Sequence, residues 1–324
     1  MSMIPDITGG ADDIVVPFQV DEIDLRGRVI RLGRSVSTMI DRHGYPAPVA
    51  RVLAEATALT LLLGSGLKFD GRLILQTQSD GPVRMVVVDV ATPDRVRALA
   101  RYDAEAVDAA IAAGRAEPAA LLGTGQLVMT IDQGGDMQRY QGIVSLDGQG
   151  LEQAADQYFR QSEQIDTRVR LAAAEEYVPG DGGMKHTWRA GGLMVQHLPQ
   201  AGGEAHRDLA PGDAPDGTIL PEPHEAWAEA RALTDTIEDD ELVDSTLSPE
   251  RLLFRLFHER GVRVFEAQDV KEHCTCSRDR ISGIVSSFTP DERRDMVEDG
   301  AITVTCEYCS TSYRFAPAEF DPVE

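Results

Sequence analysis

The sequence predicts an α+β protein: a mixed N-terminal domain of antiparallel hairpins and helices, a helical linker, and a small C-terminal module organised around cysteines. Three observations carry this prediction. Alternating apolar runs are joined by turn residues, as where Leu73, Leu75, Thr77 and Val83, Met85, Val87 flank Asp80-Gly81; that favours hairpins over a doubly wound parallel sheet. Proline and glycine crowd into residues 199–224, where the composition turns from core to linker. The four cysteines of the 324-residue chain fall in two local pairs, Cys274-Thr275-Cys276 and Cys306-Glu307-Tyr308-Cys309.

Taken in order, residues 14–31 alternate loosely (Ile14, Val16, Phe18, Val20, then Leu25, Gly27, Val29) and predict strands. A short amphipathic piece carries Val36, Met39 and Ile40. Pro46 and Pro48 open a helix whose Val49, Val52, Leu53, Ala56, Leu59, Thr60 and Leu63 repeat at helical spacing, with Gly64 and Gly66 at its end. Asp80-Gly81 predicts a type I′ turn. A second hairpin is expected from residues 126–131 and 140–146, with Gly134-Gly135 at its tip. Residues 92–122 are Ala- and Arg-rich with mixed periodicity and take no assignment. A helix over 151–163 and strands over 168–177 and 192–198 complete a core of residues 1–200.

The linker, residues 201–270, opens with the Pro/Gly stretch. An acidic helix over 222–237 follows, with Trp227, Ala230, Leu233 and Ile237 on one side. Acids cluster again at 238–241. Ser248-Pro249 is a helix start, with serine as cap and proline at the first position. Leu252, Leu253, Leu256 and Phe257 form its stripe, Gly261 ends it, and residues 262–265 can pair as a strand.

In residues 271–324, Ser277 can cap a helix bearing Ile281, Ile284, Val285 and Phe288. Thr289-Pro290-Asp291-Glu292 is a capping box, and Gly300 closes the second helix. Ile302 and Val304 lead into Cys306, and Tyr313 and Phe315 lead away from Cys309, which places the Cys-x-x-Cys at a hairpin turn. So few apolar side chains cannot hold about fifty residues together, and a metal must supply much of the folding energy. Structural zinc contributes about 10–16 kcal/mol of apparent binding energy in small peptides.

Composition excludes several function classes. The net charge is −23, the wrong sign for a nucleic-acid backbone or an anionic membrane surface. Even the cysteine module holds six basic side chains against eleven acidic ones. Residues 1–13 have neither a basic nor an apolar leader segment, and the most apolar run, residues 58–63, is too short to span a bilayer. A cytoplasmic location is expected, where thiols are normally reduced. There is no P-loop, dinucleotide fingerprint, Gly-x-Ser-x-Gly elbow or His-Glu-x-x-His; Gly123-Thr124-Gly125 is turn chemistry. The seven histidines are scattered, and the sequence suggests no partner for His186 or His197. No enzymatic activity is expected.

Cys274, Cys276, Cys306 and Cys309 form the predicted metal site, because four thiolates in a tetrahedral array are what zinc takes in a closed structural site. His273 beside the first cysteine is a bystander once four thiols are available. A purely structural zinc site on an enzyme or a protein adaptor is the alternative to thiol chemistry.

The chain resembles the redox-regulated heat-shock holdases of the 33 kDa chaperonin family. The resemblance rests on Cys274-Thr275-Cys276-Ser277-Arg278 and Cys306-Glu307-Tyr308-Cys309, and on five further stretches. These are Leu67-Lys68-Phe69-Asp70-Gly71, Ser79-Asp80-Gly81-Pro82, Arg139-Tyr140-Gln141-Gly142, Tyr158-Phe159 with Ser162-Glu163-Gln164, and Ala190-Gly191-Gly192-Leu193-Met194. It implies an ATP-independent chaperone, inactive when reduced and zinc-bound. Oxidation would release zinc, form two disulfides and unfold the redox-switch module (271–324) together with the linker. It also implies dimerisation on activation, binding of unfolded or aggregation-prone client proteins, and hand-over to ATP-dependent chaperones. Four cysteines allow three pairings. Loop-closure entropy favours Cys274–Cys276 and Cys306–Cys309, as the resemblance also implies. The linker stripe, Trp227, Leu233, Ile237, Leu252, Leu253, Leu256 and Phe257, is then the expected gate. It needs an apolar surface to rest on, and the core is the one on offer.

Overall fold

The structure is a computed structural model that describes residues 12–67, 70–134, 139–180, 183–197 and 225–320. Gly135, Leu198 and the 199–224 stretch, expected as a hairpin tip, a strand end and a loop, lie outside the described residues.

The chain opens with strands β1 (Ile14–Val20) and β2 (Leu25–Leu32), then helices α1 (Arg34–Asp41) and α2 (Ala47–Gly64). Next come β3 (Arg72–Ser79), β4 (Val83–Ala91), β5 (Arg95–Tyr102), α3 (Ala104–Ala112) and α4 (Pro118–Leu122). Strands β6 (Thr124–Asp132) and β7 (Tyr140–Asp147), helix α5 (Leu151–Tyr158) and the long hairpin β8 (Thr167–Gly180) and β9 (Gly183–His197) follow. The unassigned 92–122 region thus holds a strand and two helices. The helix expected over 151–163 turns into a π-helical turn at Phe159–Glu163.

Two sheets enclose α2. The first has the order β1-β2-β9-β8, all antiparallel; the second runs β5-β4-β3-β6-β7, also antiparallel. Helix α2 is 18 residues long with mean hydropathy 1.4, and 78% of it is buried. By length and composition it could cross a membrane, more than the run at 58–63 suggested; here it fills the space between the sheets, with Val49, Val52, Leu53, Leu59 and Leu62 at 1% exposure or less.

The hairpin at Asp80-Gly81 forms, but its turn is not type I′: neither residue has the positive φ that type requires. Glycine is needed for a different reason. A Cβ on Gly81 would lie 2.3 Å from the Leu121 carbonyl oxygen, and Asp80 accepts from the Thr124 amide at 2.7 Å. The turn is shaped by packing against α4 rather than by its own twist.

The first sheet has two apolar faces. Successive side chains point to opposite sides of a strand. Val15, Ile30, Leu32, Val169, Leu171 and Met194 face the α2 core. Phe18, Val20, Leu25, Val29, Ala172, Leu193 and Val195 face the other way, and need a second cover.

Candidate metal centre and the docked linker

Helices α6 (Glu225–Asp235), α7 (Asp239–Val243) and α8 (Pro249–Phe257) supply that cover. Ile237, Leu252, Leu253, Leu256 and Phe257 are buried on the outer face of the first sheet, with Trp227 and Leu233 half-buried beside them. Phe257 stacks on Phe18 at a centroid distance of 5.8 Å. Ser248 caps α8 through the Arg251 amide, with Pro249 in the first position, as the sequence suggests. Leu242, missed in the sequence because the acids around it hid a single apolar position, is also fully buried.

The sequence equally hid the polar half of the docking. Arg31 on β2 is 2% exposed and donates to the carbonyls of Leu242 and Glu241 at 2.6 Å each and of Asp244 at 3.2 Å. It satisfies the last carbonyls of α7, where a cation is favoured. Arg189 on β9 donates to the Val243 carbonyl at 2.7 Å and to Asp12 at 2.7 Å. Arg168 and Arg170 on β8 hold Asp235 and Asp239 at 2.6 and 3.0 Å. Gly191 lets α7 approach: a Cβ there would lie 1.8 Å from the Leu242 carbonyl oxygen.

Beyond α8 the chain straps back onto the core. Strands β10 (Arg263–Val264) and β11 (Gln268–Asp269) pair antiparallel with β1, and β12 (Lys271–Glu272) pairs parallel with β5. The first cysteine pair follows at once. Helices α9 (Arg278–Ser286) and α10 (Pro290–Asp295) come next, capped by Ser277 and by the Thr289/Glu292 box. Ile281 and Val285 are buried in the module, whereas Ile284 and Phe288, expected on the same inward face, are exposed. Strands β13 (Val297–Glu298), β14 (Ala301–Thr305) and β15 (Ser312–Phe315) form a small sheet with the second cysteine pair at the β14–β15 turn. That turn closes through Ser310 N–H to Cys306 C=O at 2.8 Å, with Ser310 at φ 55°. The module's core is small: Ile281, Val285, Ile302 and Phe315 are the buried members of its apolar cluster.

The four sulfurs lie within 4.8 Å of one another. Cys274 and Cys306 are 3.7 Å apart, and Cys276 and Cys309 3.3 Å. Sulfurs about 2.3 Å from a tetrahedral zinc sit about 3.8 Å from each other, so the donor set fits zinc in type, number and spread. Burial pushes the Cys274 thiol up to about 12 and raises that of Cys276. Burial also opposes ionisation of Cys309, but hydrogen bonding with Thr311 and the neighbouring thiols outweighs it and brings that thiol to about 7. Four thiols this close ionise together only around a cation. Tyr313 Oη donates to Cys276 Sγ at 3.2 Å, a contact that would orient this sulfur toward a bound metal. His273 takes no part in the cluster; its amide donates to the Val96 carbonyl at 2.9 Å. The closest sulfur pairs join the two motifs crosswise, so proximity in the folded site does not by itself select Cys274–Cys276 and Cys306–Cys309.

The module touches the core through the residues between its cysteines. Arg97 on β5 lies over the Tyr308 ring at 4.1 Å, reaches Thr275 Oγ1 at 3.2 Å, and is anchored by buried Asp89 at 2.7 Å. Arg101 pairs with Glu307 at 2.6 Å, and His43 Nε2 donates to the Glu307 carbonyl at 2.8 Å.

His186 and His197 lie beside aromatic rings. His186 sits 3.3 Å from Glu175 beside Tyr177 and Trp188, and His197 is buried and stacks near Trp227.

The comparisons with known proteins agree with this architecture. The family described as Hsp33 protein matches residues 13–316. The 33 kDa chaperonin of Caulobacter vibrioides is 47% identical over 320 residues, covering 98% of this chain and 99% of that protein. That of Pseudomonas paraeruginosa is 40% identical over 301 residues, covering 92% and 90%. A crystal structure of the 33 kDa chaperonin from Thermotoga maritima shares the fold at a TM-score of 0.72 and 21% identity, covering 95% of this chain and 96% of that one. A family match over nearly the whole chain, relatives of this identity and a four-thiol site in this place lead to one assignment: the chain belongs to the Hsp33 family of chaperones.

Proposed function

We propose that this protein is a redox-regulated, ATP-independent holdase whose reduced, zinc-loaded form is held inactive by its own linker. The observation that carries the reading is the two-faced first sheet. One face packs on α2; the other is covered, among the described residues, by α6–α8 and the residues that join and follow them, a segment whose two ends lead to the 199–224 stretch and to the cysteine module. The chain then divides by role: 1–200 as the client-binding core, 201–270 as the linker and 271–324 as the redox switch.

Cys274, Cys276, Cys306 and Cys309 would hold zinc, which supplies the cross-link that the module's few buried side chains cannot. Oxidation proceeds pairwise. Two thiolates give two electrons to a peroxide, which takes up two protons and leaves as water, and a disulfide remains. With Cys274–Cys276 and Cys306–Cys309 formed, all four anionic donors are gone and the cysteines release the metal. The module unfolds, its hold on β12 and the linker is lost, and α6–α8 leave the sheet. Phe18, Val20, Val29, Leu193 and Val195 are then bare together with the linker stripe, a contiguous apolar surface for unfolded clients. Dimerisation, hand-over to ATP-dependent chaperones and a cytoplasmic setting complete the proposal; the net charge of −23 keeps a loaded complex dispersed.

The test is light scattering of a thermally unfolding client with reduced and oxidised protein side by side. Suppression by the oxidised form alone supports the switch. Suppression by the reduced form that vanishes after zinc loss would instead make the protein a zinc-dependent adaptor.

A further inference from the structure

Away from the metal and the linker, a cleft of about 330 Å³ opens where the two sheets meet the C-terminal end of α2. Its walls are apolar: Leu63, Leu73, Met129, Ile131 and Met194 line it, with Phe159 from the π-helical turn. Arg26 and Arg28, two residues apart on β2, line the same cleft. In a chain of net charge −23, where most arginines are paired with carboxylates or carbonyls, these two have no side-chain hydrogen bond or ion pair among the described residues. The Arg28 Nε is buried and lacks a partner. Its Nη2 would be only 3.0 Å from a Cβ on Gly66, so the guanidinium lies against the end of α2. The carbonyls there are already used: those of Leu61, Leu63 and Gly64 accept from the amides of Ser65, Gly66 and Leu67, and that of Leu62 from Ser65 Oγ. Glu163 is the carboxylate on the rim, and it accepts from the Tyr158 hydroxyl at 3.0 Å instead of pairing with either arginine.

We propose that this cleft binds an amphipathic carboxylate of the medium-chain fatty-acid class, its carboxylate on Arg28 and Arg26 and its acyl chain against the apolar walls. Arg28 is half-buried with its Nε shielded from solvent, and beside the exposed Arg26 its charge is unfavourable unless an anion answers it. Burial and the neighbouring Arg26 already depress the Arg28 guanidinium from its ordinary value, and an incoming carboxylate would relieve both effects. A planar carboxylate matches the guanidinium fork. Polyanions such as nucleotides fit poorly, because two cations and a rim glutamate cannot neutralise them and the walls offer them nothing. A neutral amphiphile would leave Arg28 unanswered.

The experiment is calorimetric titration of the reduced full-length protein with decanoate, decanol and decyltrimethylammonium, each below its micelle-forming concentration. Decanoate should bind at one equivalent and at least about tenfold more tightly than decanol. The cationic amphiphile should bind weakest. Arg28→Leu should erase the decanoate–decanol difference, Arg28→Lys should keep most of it, and Ile131→Trp should block both ligands by filling the cleft. Equal affinity for decanoate and decanol in the unsubstituted protein overturns the proposal whether or not the variants fold. So does unchanged decanoate binding in a folded Arg28→Leu protein. Tighter binding of a short apolar peptide with a free C-terminal carboxylate would assign the cleft to chain ends, and the fatty-acid proposal would fall.

Discussion

Replacing Arg31 by methionine removes the guanidinium on which the end of α7 rests. Two of its carbonyl bonds are 2.6 Å long, and a hydrogen bond to a charged group contributes about 1.5–3 kcal/mol. Burial offsets part of this: it pulls the Arg31 guanidinium down to about 10. A net loss of about 2–4 kcal/mol of docking energy follows. The population with a released linker should therefore grow by roughly thirty- to a thousandfold. Methionine keeps the aliphatic stem, so the sheet itself is little disturbed. The assay uses reduced, zinc-loaded protein: protease cleavage within residues 225–257, binding of a hydrophobic dye, and suppression of client aggregation. All three should rise without oxidant. Gly191→Ala reaches the same state by another route, since its Cβ would sit 1.8 Å from the Leu242 carbonyl oxygen and force α7 off the sheet without touching a charge. Leu253→Asp and Phe257→Asp attack the apolar half. If these variants expose the linker to protease yet never protect a client, the linker is not the gate. If Arg31→Met leaves cleavage unchanged, the carbonyl contacts do not hold it.

Metal analysis of freshly reduced protein should find about one zinc per chain. The Cys306→Ser/Cys309→Ser double variant should lose it, and full occupancy there would refute the four-thiolate site. Peptide mapping after peroxide treatment should recover Cys274–Cys276 and Cys306–Cys309. Predominant Cys276–Cys309 linkage would mean that the folded site, with those sulfurs 3.3 Å apart, dictates pairing before the module opens. Glu55 on α2 gives a pH signature. Burial raises its carboxyl to about 8 despite Arg51 at 3.2 Å. A folded-state value raised from 4.5 means that the associated stability is fully present below about 4.5 and is lost as pH rises through about 8. Glu55→Gln should raise the melting temperature by several degrees near pH 8 and flatten the decline; identical profiles would show that the carboxylate is ionised in the fold.

The sequence displayed what depends on spacing. The cysteine pairs, the capping box at Thr289 and Glu292, the Ser248-Pro249 start and the α8 stripe are local patterns, and in the structure the four sulfurs converge, both caps form and the stripe is buried. What stayed hidden depends on partners far along the chain. Arg31 reads as one of several cations on a strand; only the fold brings it to carbonyls more than 200 residues away. Gly81 and Gly191 read as turn and strand glycines, but both exist to admit another backbone. The stretch at 92–122 defied assignment because strand β5, the short helices α3 and α4 and the breaks between them superimpose two periods. The outward exposure of Ile284 and Phe288 was equally invisible, since periodicity gives a face but not what lies opposite it.

The attachment of the cysteine module to the core suits the switch proposed for it. The cysteine module shares no large apolar interface with the core: its buried cluster is separate from both core clusters. Its outer contacts are polar, and the Arg101–Glu307 pair is 59% and 62% exposed at its two side chains. Such exposed pairs contribute about 0–1 kcal/mol. The better-shielded contact, Arg97 between Asp89 and Tyr308, depends on the Cys306–Cys309 turn keeping its shape. So does the His43 bond to the Glu307 carbonyl inside that turn. These contacts pass through residues inside one or the other cysteine pair, while Lys271, Glu272 and His273 tie the start of the module to Asp94, Arg42 and Val96 of the core. In the proposed mechanism a turn that loses its four-thiolate anchor loses these contacts together, and the far end of the linker is then held by the short pairings of β10 and β11 with β1 and of β12 with β5. An apolar interface would survive loss of a metal from the four thiols; polar contacts made through the cysteine loops would not.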